Sequence, residues 1–280
     1  MKYTITHNNK TQEIANEEFG KIEIGGKYSE GKPPSQNYYL TQEGKKILLP
    51  EKLGDCLCQD LIFQEDEHKY YLNEQEIPSV TTILRLITDF EKINKSDLDF
   101  ACWRGSQVHR ISELIDKNLI DLKRVEELNA LAFEQMGKDP RLMEYVNAYN
   151  SIRGQFKVIS SEGRLYSKKY LFAGTFDRIL IYKGKTYVAD IKTGVISHSW
   201  GCQLEAYRIM LQEWLNIKDL HLMIIQLKND GTCQLHLSTD RGNSIFNQDI
   251  VSDKAMFLSL LNISKSKKIE DIKRKLYHNF

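Results

Sequence analysis

The sequence predicts a mixed α/β (α+β) protein in which a central mixed β-sheet is flanked by helices. Apolar residues recur at helical spacing as far as about residue 156, and from Lys157 the period changes to two. The second half of the chain then follows the order three strands, helix, two strands, helix. The chain has 280 residues, of which 41% are hydrophobic, so it is long enough to bury a substantial core.

The first sixty residues differ from the rest. Tyr3 and Ile5 alternate with polar residues, which is typical of a short strand, but the sequence then turns into the loop-rich stretch GGKYSEGKPPSQN. We therefore interpret residues 1–60 as an extension or small appendage, and residues 61–280 as one domain that ends in a basic helix.

Turn and capping residues mark the start of that domain. A β-hairpin is expected over residues 61–77, with its turn at Asn73-Glu74. Ser79 follows a proline and is expected to cap a helix that reaches Ile87.

The remaining elements follow from hydrophobic spacing. Helices are expected at 97–118 and 121–156, the second interrupted at Pro140, at about 200–215 and at about 248–275. Strands are expected at 158–167, 170–182, 185–194, 221–228 and 232–237. Lys183-Gly184 is expected to form a tight turn between the second and third of these strands.

Composition bounds the environment and the partners. The chain has five cysteines and no apolar N-terminal segment, which favours reduced thiols in a cytoplasmic protein, or in the host cytoplasm if a phage encodes it. No apolar run is long enough to cross a membrane. The net charge is only +1, but residues 162–194 carry seven basic and three acidic side chains, a local charge of +4. A locally basic surface of this kind is compatible with nucleic-acid binding.

Two aspartates and a lysine form the most informative cluster. Asp190 and Lys192 are two positions apart in an expected strand, so their side chains share a face, although an ordinary surface ion pair would also explain this spacing. A turn centred on Lys183-Gly184 pairs residues whose numbers add up to about 367, which places Asp177 opposite Asp190. Their Cβ atoms would then lie about 5 Å apart. A divalent cation, Mg²⁺ or Mn²⁺, would relieve the repulsion between the two carboxylates.

Five segments resemble one nuclease family. GTFD (174–177) followed by DIKTG (190–194) resembles the signature of the PD-(D/E)XK nuclease superfamily, although the proline of that name is absent. GSQVH (105–109) and QLEAY (203–207) resemble two helical motifs of its RecB-like exonuclease branch. IPSVTTIL (77–84) is similar to the N-terminal part of phage and mitochondrial genome-maintenance exonucleases of this type.

The resemblance covers about residues 61–240 and implies a restriction-endonuclease-like core with a metal-dependent active site. The ligands that it implies for one or two Mg²⁺ or Mn²⁺ ions are His109, Asp177, Asp190 and the carbonyl group of Ile191. Lys192 would position the attacking water or neutralise charge on the phosphate. Gln203 and Tyr207 would reach toward this lysine or the nucleic acid, although ordinary helix packing also explains their spacing.

Further residues are weaker candidates. We expect the acids Glu113 and Glu162 near the metal. The alternative for Glu113 is a contact with His109 within the helix, and the alternative for Glu162 is a solvated side chain. The candidate nucleic-acid contacts are Lys168, Lys169, Arg178 and an exposed Trp200. The basic segment 265–275 is either a phosphate-binding helix face or simply a solvated one.

The sequence therefore predicts a metal-dependent DNA exonuclease that acts on single strands or strand ends in replication, recombination or repair. A structure-specific endonuclease on the same core and a catalytically silent nucleic-acid-binding module are the alternatives. DNA, together with a replication or recombination protein, is the expected partner. We expect no iron–sulfur cluster, because Cys233 is the only cysteine after Cys202.

Overall fold

The computed structural model describes residues 58, 60–64, 67–88, 93–215, 217, 219–240, 245–246 and 252–267 with their side chains. It also describes the backbone of the last helix as far as Tyr277 and of four short strands near the N-terminus. These strands are β1 (Lys2–His7), β2 (Lys10–Ala15), β3 (Tyr38–Leu40) and β4 (Lys46–Leu48), which pair as β1 with β2 and β3 with β4. The strand expected around Tyr3 and Ile5 is thus confirmed.

A small antiparallel sheet precedes the main domain core. Its strands are β5 (Leu61–Gln64), β6 (Lys69–Leu72) and β7 (Gln75–Ile77). The expected turn at Asn73-Glu74 joins β6 to β7, and both of its residues have positive φ. The Ser79 side chain accepts a hydrogen bond from the Thr82 amide and caps α1 (Val80–Leu84), which is shorter than expected.

Three helices cover one face of the main sheet. They are α2 (Lys95–Asp116), α3 (Leu122–Met136) and α4 (Leu142–Arg153). The expected interruption at Pro140 is confirmed, because Arg141 adopts a left-handed conformation before α4 begins. The buried side chains on this face include Val108, Ile111, Leu142 and Tyr149, packed against Leu180 and Met223 of the sheet.

The main sheet is five-stranded and mixed, as the sequence predicts. Its strands are β8 (Phe156–Tyr166), β9 (Ala173–Tyr182), β10 (Lys185–Lys192), β11 (His221–Leu227) and β12 (Cys233–Leu237), in the spatial order β12-β11-β10-β9-β8. Only β10 and β11 are parallel. Lys183 and Gly184 both have positive φ, which is the geometry of a two-residue type I′ hairpin turn.

The opposite face of the sheet is covered by α5 (Ser199–Leu215), which connects the parallel strands, and α6 (Asp253–Tyr277) packs against α5 and α1. The core on this face includes Val80, Phe176, Leu204, Met210 and Phe257. Cys58, Cys102, Cys202 and Cys233 are free thiols, whereas Cys56 lies outside the described residues. Within the described ranges, no helix combines the length and the apolar character that a membrane span requires.

Candidate metal centre and active site

The site forms where β9 and β10 separate. Their ladder pairs Val188 with Ile179 and Ala189 with Arg178, so the expected register, in which residue numbers sum to 367, is confirmed. The next pair would be Asp190 and Asp177, but regular pairing ends one step earlier. Instead, the Ile191 amide donates a hydrogen bond to Asp177 Oδ2 at 2.9 Å. This side-chain bond fixes the Asp177 carboxylate at the point where the two backbones part.

Glu162 reaches the same place from β8. The β8–β9 ladder pairs Ser161 with Arg178 and Gly163 with Phe176, so Glu162 lies opposite Asp177. Its φ of +51° is in the left-handed region, which is costly for a residue with a side chain and recurs at functional sites. This local irregularity aims an otherwise solvated glutamate at the aspartate.

Helix α2 supplies the third group. His109 Nδ1 lies 3.0 Å from Asp177 Oδ2. Gly105, one helical turn earlier on the same helix face, lies beside the residue that follows β10: a Cβ built there would be 3.9 Å from Thr193 Oγ1, an ordinary van der Waals contact. Donor atoms of His109, Glu162 and Asp177 all lie within 4.8 Å of one another. Two carboxylates and an imidazole are a suitable ligand set for a divalent metal ion.

Lys192 is held beside this group by a chain of polar contacts. Its Nζ lies 2.6 Å from Asp190 Oδ2 and donates a hydrogen bond to Gln203 Oε1 at 2.8 Å. Gln203 Nε2 in turn donates to the Tyr207 hydroxyl at 2.9 Å. Gln203 and Tyr207 are one turn apart on α5, and both ends of the Gln203 amide are engaged. The lysine, the amide and the phenol therefore form one connected unit.

The electrostatics of the site reflect an excess of buried carboxylates. Burial and the neighbouring Asp177 raise the pKa of Asp190, and loss of solvation together with Asp177 raises the pKa of Glu162 to about 7, although much of the Glu162 side chain faces solvent. Burial would lower the pKa of His109, but Asp177 and Asp190 raise it overall. Burial opposes ionisation of Asp177, yet His109 and Lys192 lower its pKa.

These shifts describe a cluster that favours an added positive charge. His109 contacts Asp177, and Lys192 contacts Asp190. A divalent ion bound here would compete with protons for these donor atoms, which is the usual linkage between proton release and metal binding. The donor set therefore fits a divalent metal ion, and Mg²⁺ or Mn²⁺ stays the prediction from the sequence.

The structure groups the expected metal ligands differently from the sequence analysis. His109 and Asp177 are brought together with Glu162, which was expected only near the metal. Asp190, in contrast, is not part of the set of donors that lie within 4.8 Å of one another, and its carboxylate contacts Lys192. Ile191 is at the site through its amide, and the role of its carbonyl stays a prediction. Glu113 is paired along α2 with Arg110 and Lys117.

Two expected nucleic-acid contacts are corrected by the structure. Arg178 has no exposed surface and pairs with Asp116 through Nε at 2.7 Å, so it cannot meet a phosphate. Trp200 was expected to be exposed, but it is 7% exposed because the first turn of α5 packs it into the core. Neither side chain is available to bind DNA at the surface.

The two lysines of the β8–β9 loop stay candidates. Lys168 and Lys169 are exposed, and their backbone amides donate to Glu213 Oε2. Lys168 Nζ lies over the Trp214 ring, 3.4 Å from its centroid. In the basic segment 265–275, Lys265 donates to the Tyr170 carbonyl, and side chains beyond residue 267 lie outside the described residues.

A buried ionic cluster that was not predicted from the sequence lies under the site. Asp116, at the end of α2, contacts Arg178, Arg153 and the Tyr149 hydroxyl. It therefore ties the helix that carries His109 to the strand that carries Asp177. The four residues come from three separate elements, and only the helical spacing of 109 and 116 was visible in the sequence.

Neither a protein-family model nor a curated protein matches this chain.

Proposed function

We propose that this chain is a divalent-metal-dependent deoxyribonuclease, and specifically a cytoplasmic exonuclease that hydrolyses phosphodiester bonds in single-stranded DNA or at strand ends during replication, recombination or repair. One observation carries the proposal. Donor atoms of His109, Glu162 and Asp177 converge within 4.8 Å, next to a lysine that is oriented by Asp190 and Gln203. The order of the sequence motifs supports the same interpretation.

The metal would be held by His109, Glu162 and Asp177, with Asp190 close by. Bound there, Mg²⁺ or Mn²⁺ supplies Lewis acidity toward a phosphate oxygen and lowers the pKa of water. The Ile191 amide keeps the Asp177 carboxylate in place for this role.

Lys192 would act on the substrate. Asp190 and Gln203 use part of its three N–H donors and hold the ammonium group in place. The ammonium group can still donate a further hydrogen bond. We propose that it donates a hydrogen bond to a non-bridging phosphate oxygen or to the attacking water, where negative charge develops.

Tyr207 would position Gln203 rather than transfer a proton. Burial, Asp190 and Asp177 raise the pKa of Tyr207 well above its ordinary value, so the phenol stays neutral. A neutral phenol can hold the amide in one orientation, and the amide then holds the lysine. This connection explains why a glutamine and a tyrosine one turn apart accompany the lysine.

The test is digestion of single-stranded and duplex DNA, labelled separately at each end, with Mg²⁺, Mn²⁺ or EDTA. We expect metal-dependent release of short products from one end. Asp190→Ala and Lys192→Ala should lower the rate by about 10²–10³-fold or more, while Lys185→Ala, an exposed lysine at the other end of β10, should leave it unchanged.

Other outcomes identify the alternatives. Internal cuts with the same dependence on metal and on Lys192 would indicate an endonuclease on this core. DNA binding by all variants, with no cleavage in any metal, would contradict the catalytic proposal and leave a binding module.

A further inference from the structure

An exposed arginine lies next to the candidate metal centre. Arg164 follows Glu162 by two residues on β8, which corresponds to about 7 Å along a strand. It is paired across the ladder with Thr175, which in turn precedes Asp177 by two residues on β9. Directly opposed residues of an antiparallel pair share one face of the sheet. Arg164 and Thr175 thus extend the line of Glu162 and Asp177 along the two paired strands.

The guanidinium group of Arg164 is supported by an aromatic platform. Its Cζ lies 4.8 Å from the centroid of the Phe63 ring, which comes from β5 of the small sheet. The Phe63 ring lies 4.7 Å from the Tyr70 ring, and the Tyr70 hydroxyl is 2.9 Å from Thr175 Oγ1. A guanidinium stacked on a ring keeps the N–H donors along its edge available, in the planar arrangement that matches a phosphate.

No carboxylate among the described residues pairs with Arg164. Arg110, Arg153 and Arg178 each pair with a carboxylate. Within the part of the chain that the structure describes, Arg164 forms no ion pair, and its side chain is exposed. Arg164 is held against Phe63 and lies beside the acids that would hold a metal. This placement suits an anionic ligand that binds both the arginine and the metal.

Buried Tyr70 connects this platform to the strand that carries Asp177, because its hydroxyl lies 2.9 Å from Thr175 Oγ1, two residues before Asp177. The contacts from Arg164 through Phe63 and Tyr70 therefore end beside the acids.

We propose that Arg164, stacked on Phe63, is a phosphate-binding residue that holds the DNA phosphate next to the one at the metal centre. The inference rests on the proposed function and deepens it, because it makes the small N-terminal sheet part of the substrate site. The same chemistry would serve an internal phosphodiester or a terminal phosphate monoester. In either case the arginine fixes the register of the strand relative to the metal.

The test measures DNA binding without cleavage. A fluorescent single-stranded oligonucleotide is titrated with the full-length protein in EDTA at several salt concentrations, using wild type, Arg164→Gln, Arg164→Lys and Lys157→Gln. Lys157 is an exposed basic residue of the same strand, seven positions earlier, and serves as the matched control.

We expect Arg164→Gln to weaken binding about tenfold or more, which is the usual effect of losing a hydrogen-bonded charge. The slope of log K against log salt should fall by about 0.7, the contribution of one phosphate contact on single-stranded DNA. Arg164→Lys should keep the salt slope but lose part of the affinity, because an ammonium cannot bind bidentately. Lys157→Gln should bind as the wild type does.

Closed circular single strands, and linear strands with a 5′-phosphate or a 5′-hydroxyl, distinguish the two sources of phosphate. A loss of affinity that is equal on circular and linear DNA supports an internal phosphodiester, and a loss confined to phosphorylated ends supports a terminal phosphate. Unchanged affinity and salt slope in Arg164→Gln would overturn the inference, and if the same protein still cleaved DNA, the proposed function would stand. A wild-type protein that neither binds nor cleaves DNA would overturn both.

Discussion

Replacing Asp116 with alanine should destabilise the protein far more than an ordinary loss of an ion pair. The Asp116 side chain is 4% exposed. It accepts a hydrogen bond from Arg178 Nε at 2.7 Å and one from the Tyr149 hydroxyl at 2.8 Å, and it lies 2.5 Å from Arg153 Nε. Removing it deprives three buried or half-buried groups of a partner at once.

The magnitude follows from the burial of Arg178. Its side chain has no exposed surface, and among the described residues its Nη1 and Nη2 have no hydrogen-bond partner, so the Asp116 carboxylate is the main compensation for its charge. Removing one partner of a buried ion pair costs about 3–5 kcal/mol of the free energy of unfolding. For a protein of this size, that corresponds to a decrease in Tm of roughly 6–20 °C.

The assay is chemical and thermal unfolding of Asp116→Ala beside Asp97→Ala. Asp97 lies at the other end of the same helix, pairs with Lys138 and is 62% exposed on its side chain. Its removal should cost no more than about 1 kcal/mol. If Asp116→Ala lost less than about 1 kcal/mol, or no more than Asp97→Ala, the reasoning from a buried uncompensated arginine would be refuted.

Three further predictions concern single contacts. Glu162→Gln should weaken Mn²⁺ binding about tenfold or more in titration calorimetry, because an anionic oxygen donor is replaced by a neutral amide. Gln203→Leu should leave Mn²⁺ affinity unchanged but slow DNA cleavage roughly 10–100-fold, since Lys192 loses the acceptor at 2.8 Å that orients it. Gly163→Ala should cost about 1–3 kcal/mol in urea unfolding, because its Cβ would lie 2.1 Å from Phe176 Cζ and the buried ring would have to move.

Each of these changes has a matched control and a contradicting result. Glu127→Gln, an exposed acid on α3, should not alter Mn²⁺ binding, and an equal effect in both variants would contradict a specific role for Glu162. Gln234→Leu, at an exposed position, should cleave DNA like the wild type. If Gln203→Leu cleaved DNA as fast as this control, a role for the Gln203 amide in orienting Lys192 would be contradicted. Gly154→Ala meets no atom within 4 Å and should be nearly neutral, so equal stability of the two glycine variants would refute the packing argument.

Much of the fold could be predicted because its signals are local. The type I′ turn at Lys183-Gly184 sets the register of β9 and β10 by itself, and that register predicts the juxtaposition of Asp177 and Asp190. Helix α5 follows from apolar spacing and places Gln203 and Tyr207 on one face. Local turn chemistry and periodicity were sufficient for these elements.

The remaining features depend on tertiary packing. Glu162 enters the centre through a positive φ and an irregular strand, neither of which a glutamate in an alternating pattern indicates. Arg178 carries a charge that usually lies at the surface and is nevertheless buried against Asp116, a residue 62 positions earlier. The burial of Trp200 also depends on tertiary packing. The sheet beneath α5 determines which face of the first turn of this helix meets the core.

The central claim is that Lys192 performs catalysis beside a metal that other residues hold. The most direct test is cleavage of an end-labelled single strand by wild type and Lys192→Ala, after titration has shown that both samples bind Mn²⁺. We predict metal-dependent release of short products by the wild type and a loss of about 10²–10³-fold or more in the variant, at equal Mn²⁺ occupancy. Equal cleavage by the two proteins, or no cleavage by a wild type that is saturated with Mn²⁺, would contradict the account.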